Sequence, residues 1–80
     1  MKFTNLYSHR TGAGIFYIAQ TDDGRFHPVF QEESLGSYAT PAMAAKELAG
    51  GHTFSAPGIL DTSILAISED LLEWDSIMKL

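Results

Sequence analysis

The chain contains no cysteine among its 80 residues. That excludes a disulfide, a thiolate metal site and a cysteine nucleophile, and it fits a reducing, cytoplasmic setting. Basic residues are scarce as well, with five Lys and Arg against ten Asp and Glu and a net charge of −5. Phosphate binding draws most of its affinity from Lys and Arg, so this balance argues against nucleic acid and anionic membranes. The balance suits another protein as partner, one with a basic surface, or simply solubility. The acidity gathers late in the chain, where Lys79 stands against Asp61, Glu69, Asp70, Glu73 and Asp75. Long apolar runs are missing too. The longest, Ile15 to Ala19, falls far short of the roughly 20 residues that cross a bilayer, and no signal-peptide core follows Met1-Lys2.

What is present describes one small folded domain over residues 1–80. Its residues are 45% hydrophobic and 19% charged, the balance of a globular chain rather than a disordered one. At this length only about 60 to 65% of the unfolded surface is buried on folding, so stability of a few kcal/mol is expected.

Gly14 to Gln20 is rich in β-branched and aromatic residues, and Arg25 to Gln31 forms a second such run after Thr21-Asp22-Asp23-Gly24. This predicts a hairpin. Gly24 suits the left-handed end of a three-residue loop, which pairs Thr21 with Arg25. Phe16, Ile18, Phe26, Pro28 and Phe30 then share one face, and Tyr17, Ala19, Arg25, His27 and Val29 the other. A two-residue Asp23-Gly24 turn would instead set Tyr17 beside Phe30. Pro28 lacks an amide proton, which places its strand at an edge or a bulge. Leu35 to Tyr38 is expected as a short third strand.

Thr40-Pro41 is a helix start, with threonine as cap and proline at the first helical position. Pro41, Ala44, Ala45 and Leu48 form one stripe, and Gly50-Gly51 ends the helix. His52, directly after, is expected to meet orphan carbonyls at the helix end. Residues 14–51 thus read as a β-β-β-α core. Residues 1–13 are an N-terminal segment or an extra strand around Phe3 to Tyr7, with loop from Thr11 to Gly14. Residues 52–80 form an irregular C-terminal wrap pinned by Phe54, with a short helix capped by Ser68, stapled by Ile67 and Leu72, and running to Trp74 or Asp75.

The strings Leu35-Gly36-Ser37-Tyr38, Thr40-Pro41, Leu48-Ala49-Gly50-Gly51-His52-Thr53-Phe54 and Glu69-Asp70-Leu71 with Glu73-Trp74 resemble a family of small uncharacterised bacterial proteins. The resemblance implies a bacterial, stand-alone domain. In shape alone, the β-β-β-α order is similar to plant ethylene-response and integrase arm-type DNA-binding domains. Those use basic sheets, whereas only Arg25 stands on the relevant strands here.

Three histidines, His9, His27 and His52, share no ligand-pair spacing, so neither a metal nor a cofactor is expected. Ser55 or Ser63 with His52 and Asp61 supplies the residue types of a hydrolase without a nucleophile-elbow signature. The chain is therefore not expected to be an enzyme. The candidate binding residues are Tyr17, Arg25, His27 and Tyr38 on one sheet face, and Trp74 in the tail. Leu71, Trp74 and Met78 have the spacing of a helix seated in a partner's groove. The competing expectation is that Leu71, Leu72 and Trp74 fold over the Tyr17 face. The sequence thus predicts an α+β domain with a three-stranded antiparallel sheet on one helix. Its expected role is that of an acidic, non-catalytic protein-interaction module, the alternatives being a nucleic-acid accessory domain and a small metal or hydrolytic protein.

Overall fold

A computed structural model describes residues 3–53 and 62–77. The fold is α+β, with one helix on an antiparallel sheet, and the sheet has five strands rather than three. In chain order these are β1 (Thr4–Thr11), β2 (Gly14–Gln20), β3 (Phe26–Phe30), β4 (Glu33–Ser34) and, at the far end, β5 (Asp75–Ser76). Helix α1 (Pro41–Ala49) and two 3-10 turns, Thr62–Leu65 and Leu71–Glu73, lie between β4 and β5. The spatial order is β4-β3-β2-β1-β5, a meander whose last strand returns to pair with the first.

The β2–β3 register is the three-residue-loop alternative. Tyr17 pairs with Val29, Ala19 with His27 and Gln20 with Phe26. The Thr21 N–H donates to the Arg25 carbonyl and the Gly24 N–H to the Thr21 carbonyl, and Gly24 has φ +80°, a value that favours glycine. Pro28 sits in an interior strand. Its carbonyl accepts from the Leu35 N–H at 2.7 Å, so its missing amide proton faces the short β4 side, where the ladder is ending.

Two expectations about strands are corrected. Of the two readings of residues 1–13, the extra strand is the one observed; it runs on to Thr11 as β1, so Thr11 to Gly14 is no open loop. Thr11 pairs with Gly14 across a tight turn in which the Thr11 hydroxyl donates to the Gly14 carbonyl and accepts the Ala13 N–H. The third strand is not Leu35–Tyr38. β4 precedes it, and Tyr38 makes only an isolated bridge to Phe26.

Helix α1 forms as its residues dictate. Thr40 accepts the Met43 N–H, Pro41 opens the first turn, and Ala44, Ala45 and Leu48 are buried. At its C-terminus Gly51 has φ +75°, and the His52 N–H donates to the Glu47 carbonyl while the Gly51 N–H donates to that of Leu48. This is the Schellman pattern. The His52 imidazole donates to the Glu47 carboxylate, so it is the backbone of His52, not its ring, that meets the orphan carbonyl. The buried Thr62 hydroxyl adds a bond to the Leu48 carbonyl at 2.6 Å.

The small alanines let α1 lie close on Phe16, Ile18 and Phe30. Leu35, Ile67 and Trp74 complete this core, and the Phe16 and Phe30 rings stack at 4.4 Å.

The C-terminal expectations change most. The short helix is a 3-10 turn capped by Asp70, which accepts the Leu72 N–H, while Ser68 accepts the Asp70 N–H one step earlier. Leu72 is 92% exposed and forms no staple with Ile67. The chain then extends, so Asp75 belongs to β5. Phe54 and Met78 lie outside the described residues.

Candidate functional site

Strand alternation gives the sheet two unlike faces. One packs on α1. The other carries Ser8 and Arg10 from β1, Ile15, Tyr17 and Ala19 from β2, and His27 and Val29 from β3, as the cross-strand pairs require. Across this second face lies a depression of about 530 Å³ lined by Phe3, Asn5, Tyr17, Val29 and Glu32. Asn5 reaches the same face as Tyr17 because the β1–β2 register shifts between Asn5 and Tyr7.

Beside the depression is a chain of polar side chains. Asp23 Oδ1 accepts from Thr21 Oγ1 and, at 3.0 Å, from the Arg25 N–H. Thr21 Oγ1 also lies 3.2 Å from His27 Nε2, and His27 Nδ1 lies 2.9 Å from Ser34 Oγ. The hydrogen bond from Thr21, then that from the Arg25 backbone, holds the Asp23 carboxyl below its ordinary range. His27 is only 7% exposed, and the Phe3 ring meets it edge-on at 5.4 Å. Val29 and Ser34 are cross-strand partners, so the end of this chain lies at the rim of the depression.

Of the five residues expected to bind, the structure brings Tyr17 and His27 to this face. Tyr17 lines the depression half-buried, and His27 lies beneath its wall. Arg25 is at the margin with its guanidinium engaged, Nε donating to Ser37 Oγ at 2.8 Å and Nη2 to the Ser37 carbonyl at 3.0 Å. Tyr38 is on the other side, bridged to Phe26 and packed on the core; burial, with the Glu47 carboxylate adding to it, pushes its hydroxyl up. Trp74 is 5% exposed in the α1-side core, with its indole N–H donating to the Ser68 carbonyl. Trp74 is therefore docked at home, and Leu71 with it, on the side away from Tyr17.

The remaining histidines serve separate local purposes. The Ser68 N–H donates to His9 Nε2 at 3.2 Å, so Nδ1 carries the proton given to the Arg10 carbonyl, and the ring meets Trp74 edge-on. His52 pairs with Glu47 at the surface. Among the described residues no group of three or more His, Asp or Glu is placed to hold a metal. Asp61 and Ser55 of the hydrolase arrangement lie outside the described residues.

Sequence reasoning missed Phe3, Asn5 and Glu32, and with them Thr21, Asp23 and Ser34. The Thr21–Arg25 register already places Thr21 diagonally beside His27 on one face, so that pair carried a signal. Ser34 carried none, because Gln31-Glu32 is not a recognisable tight-turn pair. No family model, curated protein or solved structure matches the chain, and the reading of this site rests on its own geometry.

Proposed function

We propose that the chain is a non-catalytic protein-interaction module, and that its binding surface is the sheet face opposite α1. The observation that carries this reading is the depression between Phe3, Tyr17 and Val29, with Asn5 and Glu32 as its polar groups. Aromatic and aliphatic walls with a few polar groups suit an apolar anchor residue, because rigid rings give contact area at small entropic cost. Glu32 at the wall and the net charge of −5 select what surrounds that anchor. The occupant is a basic peptide segment of another protein, with one aliphatic or aromatic side chain flanked by Lys or Arg. With Arg25 tied to Ser37, Arg10 is the other arginine of this face, and the net charge of −5 favours a basic peptide over a nucleic acid.

The test is fluorescence anisotropy against a peptide library with a central apolar residue, flanked by Lys/Arg in one half and by Asp/Glu in the other. Wild type should bind the basic half. Tyr17→Ala should lose at least about tenfold in affinity, roughly 1.4 kcal/mol, and Glu32→Lys should shift preference toward the acidic half. Equal binding of both halves, or indifference to both substitutions, would overturn the reading.

A further inference from the structure

The direction of the hydrogen bonds from Asp23 to Ser34 can be worked out link by link. An ionised Asp23 carboxylate only accepts, so the single hydroxyl proton of Thr21 goes to Asp23. Thr21 Oγ1 can then only accept from His27 Nε2, which must carry a hydrogen. In a neutral imidazole the other nitrogen, Nδ1, is left with its lone pair, and it faces Ser34 Oγ at 2.9 Å. The reverse polarity would set the oxygens of Thr21 and Asp23 lone pair to lone pair. The chain thus ends in a base pointed at an exposed hydroxyl, with a carboxylate fixing the tautomer through a threonine.

We propose that Ser34 is a nucleophile that accepts an acyl group from an activated ester, with His27 Nδ1 as its base and Thr21 and Asp23 as positioning residues. The ester would lie over Val29, the cross-strand partner of Ser34 and a wall of the depression. Ser34 Oγ bonds to the ester carbonyl carbon as its proton passes to Nδ1. The carbon–oxygen bond to the leaving group then breaks, and Nδ1 returns the proton to the departing oxygen. An ester of Ser34 and a free alcohol or phenol result, with no other reactant. The Gly36 carbonyl, 2.8 Å from Ser34 Oγ, competes for the same single proton, so the hydroxyl must turn from Gly36 to Nδ1 as the ester arrives. The transfer is stoichiometric, one acyl group per chain, and goes beyond the binding reading; it stands or falls apart from peptide preference.

The probe is p-nitrophenyl acetate, with intact-mass measurement and peptide mapping, on variants first shown folded by their amide NMR spectra. Wild type should carry one acetyl on Ser34, and Ser34→Ala none at that site. His27→Gln should slow labelling on the order of a hundredfold, the size of a lost general base. Thr21→Val should slow it strongly while Thr21→Ser, which keeps the hydroxyl, restores it. Asp23→Ala, which removes the acceptor that fixes the Thr21 proton, should free that proton for His27 Nε2 and slow labelling of Ser34. Should His27→Gln fail to fold, the wild-type tautomer decides alone: nitrogen NMR should find the proton on Nε2. A proton on Nδ1 of neutral His27, or acetylation confined to lysines and the amino terminus, would overturn the proposal.

Discussion

Asp23 shows how much one side chain fixes locally. Its Oδ1 takes hydrogen bonds from Thr21 and from the Arg25 backbone, ties the loop that Gly24 closes, and sets the proton order of the buried polar chain beyond it. Because those bonds favour the charged form, the folded carboxyl titrates below its unfolded counterpart. The stabilisation is therefore complete above the unfolded value, near pH 4, and disappears as pH falls through the lower folded value. Thermal melts of wild type and Asp23→Asn across the acid range should differ by a constant gap above about pH 5 that starts to narrow only near pH 4 and closes as pH falls through the lower folded value. A gap that stays constant into strong acid would refute this assignment.

Among the elements, the β3–β4 connection stands apart. Phe30 pairs with Glu33 across Gln31 and Glu32, and both turn residues have positive φ, +51° and +66°. This two-residue hairpin geometry favours Asn-Gly, and side chains with a Cβ are strained in it. Gln31→Asn with Glu32→Gly should raise the urea midpoint, corresponding to about 1 kcal/mol, with no change in the slope of the transition. A lower midpoint would mean the present residues make compensating contacts. The same turn explains what could be read in the sequence and what could not. Thr40-Pro41, Gly50-Gly51 and the β2–β3 loop were legible because each position uses a residue chemically suited to its backbone. The β3–β4 turn uses residues that are not, so β4 and the place of Ser34 were hidden. β1 was legible only as an option around Phe3 to Tyr7, because a polar strand whose alternation breaks where the register shifts, between Asn5 and Tyr7, leaves no clean period. Trp74 was misread because its spacing suits a helix, whereas long-range packing against the α1 core and His9 decides its place.

At the scale of the molecule, that tryptophan ties the first strand to the last. It joins the α1 core, donates to the Ser68 carbonyl and meets His9 of β1, while β5 follows directly and pairs with β1. Truncating a buried tryptophan costs about 3 to 5 kcal/mol, comparable to the whole stability of so small a domain. Trp74→Ala should therefore leave little cooperative unfolding in a urea titration, and a variant retaining the wild-type midpoint would show the tail to be dispensable. The two-residue outer strands have a separate consequence. β4 and β5 bound the sheet, each contributes one carboxylate, Glu33 or Asp75, and the apolar Ile15–Ala19 segment lies in β2, between β1 and β3. A growing fibril needs a long, uncharged edge as a template. Here the segment with fibril-forming composition is enclosed between two paired strands, so an intact sheet does not offer it as a template.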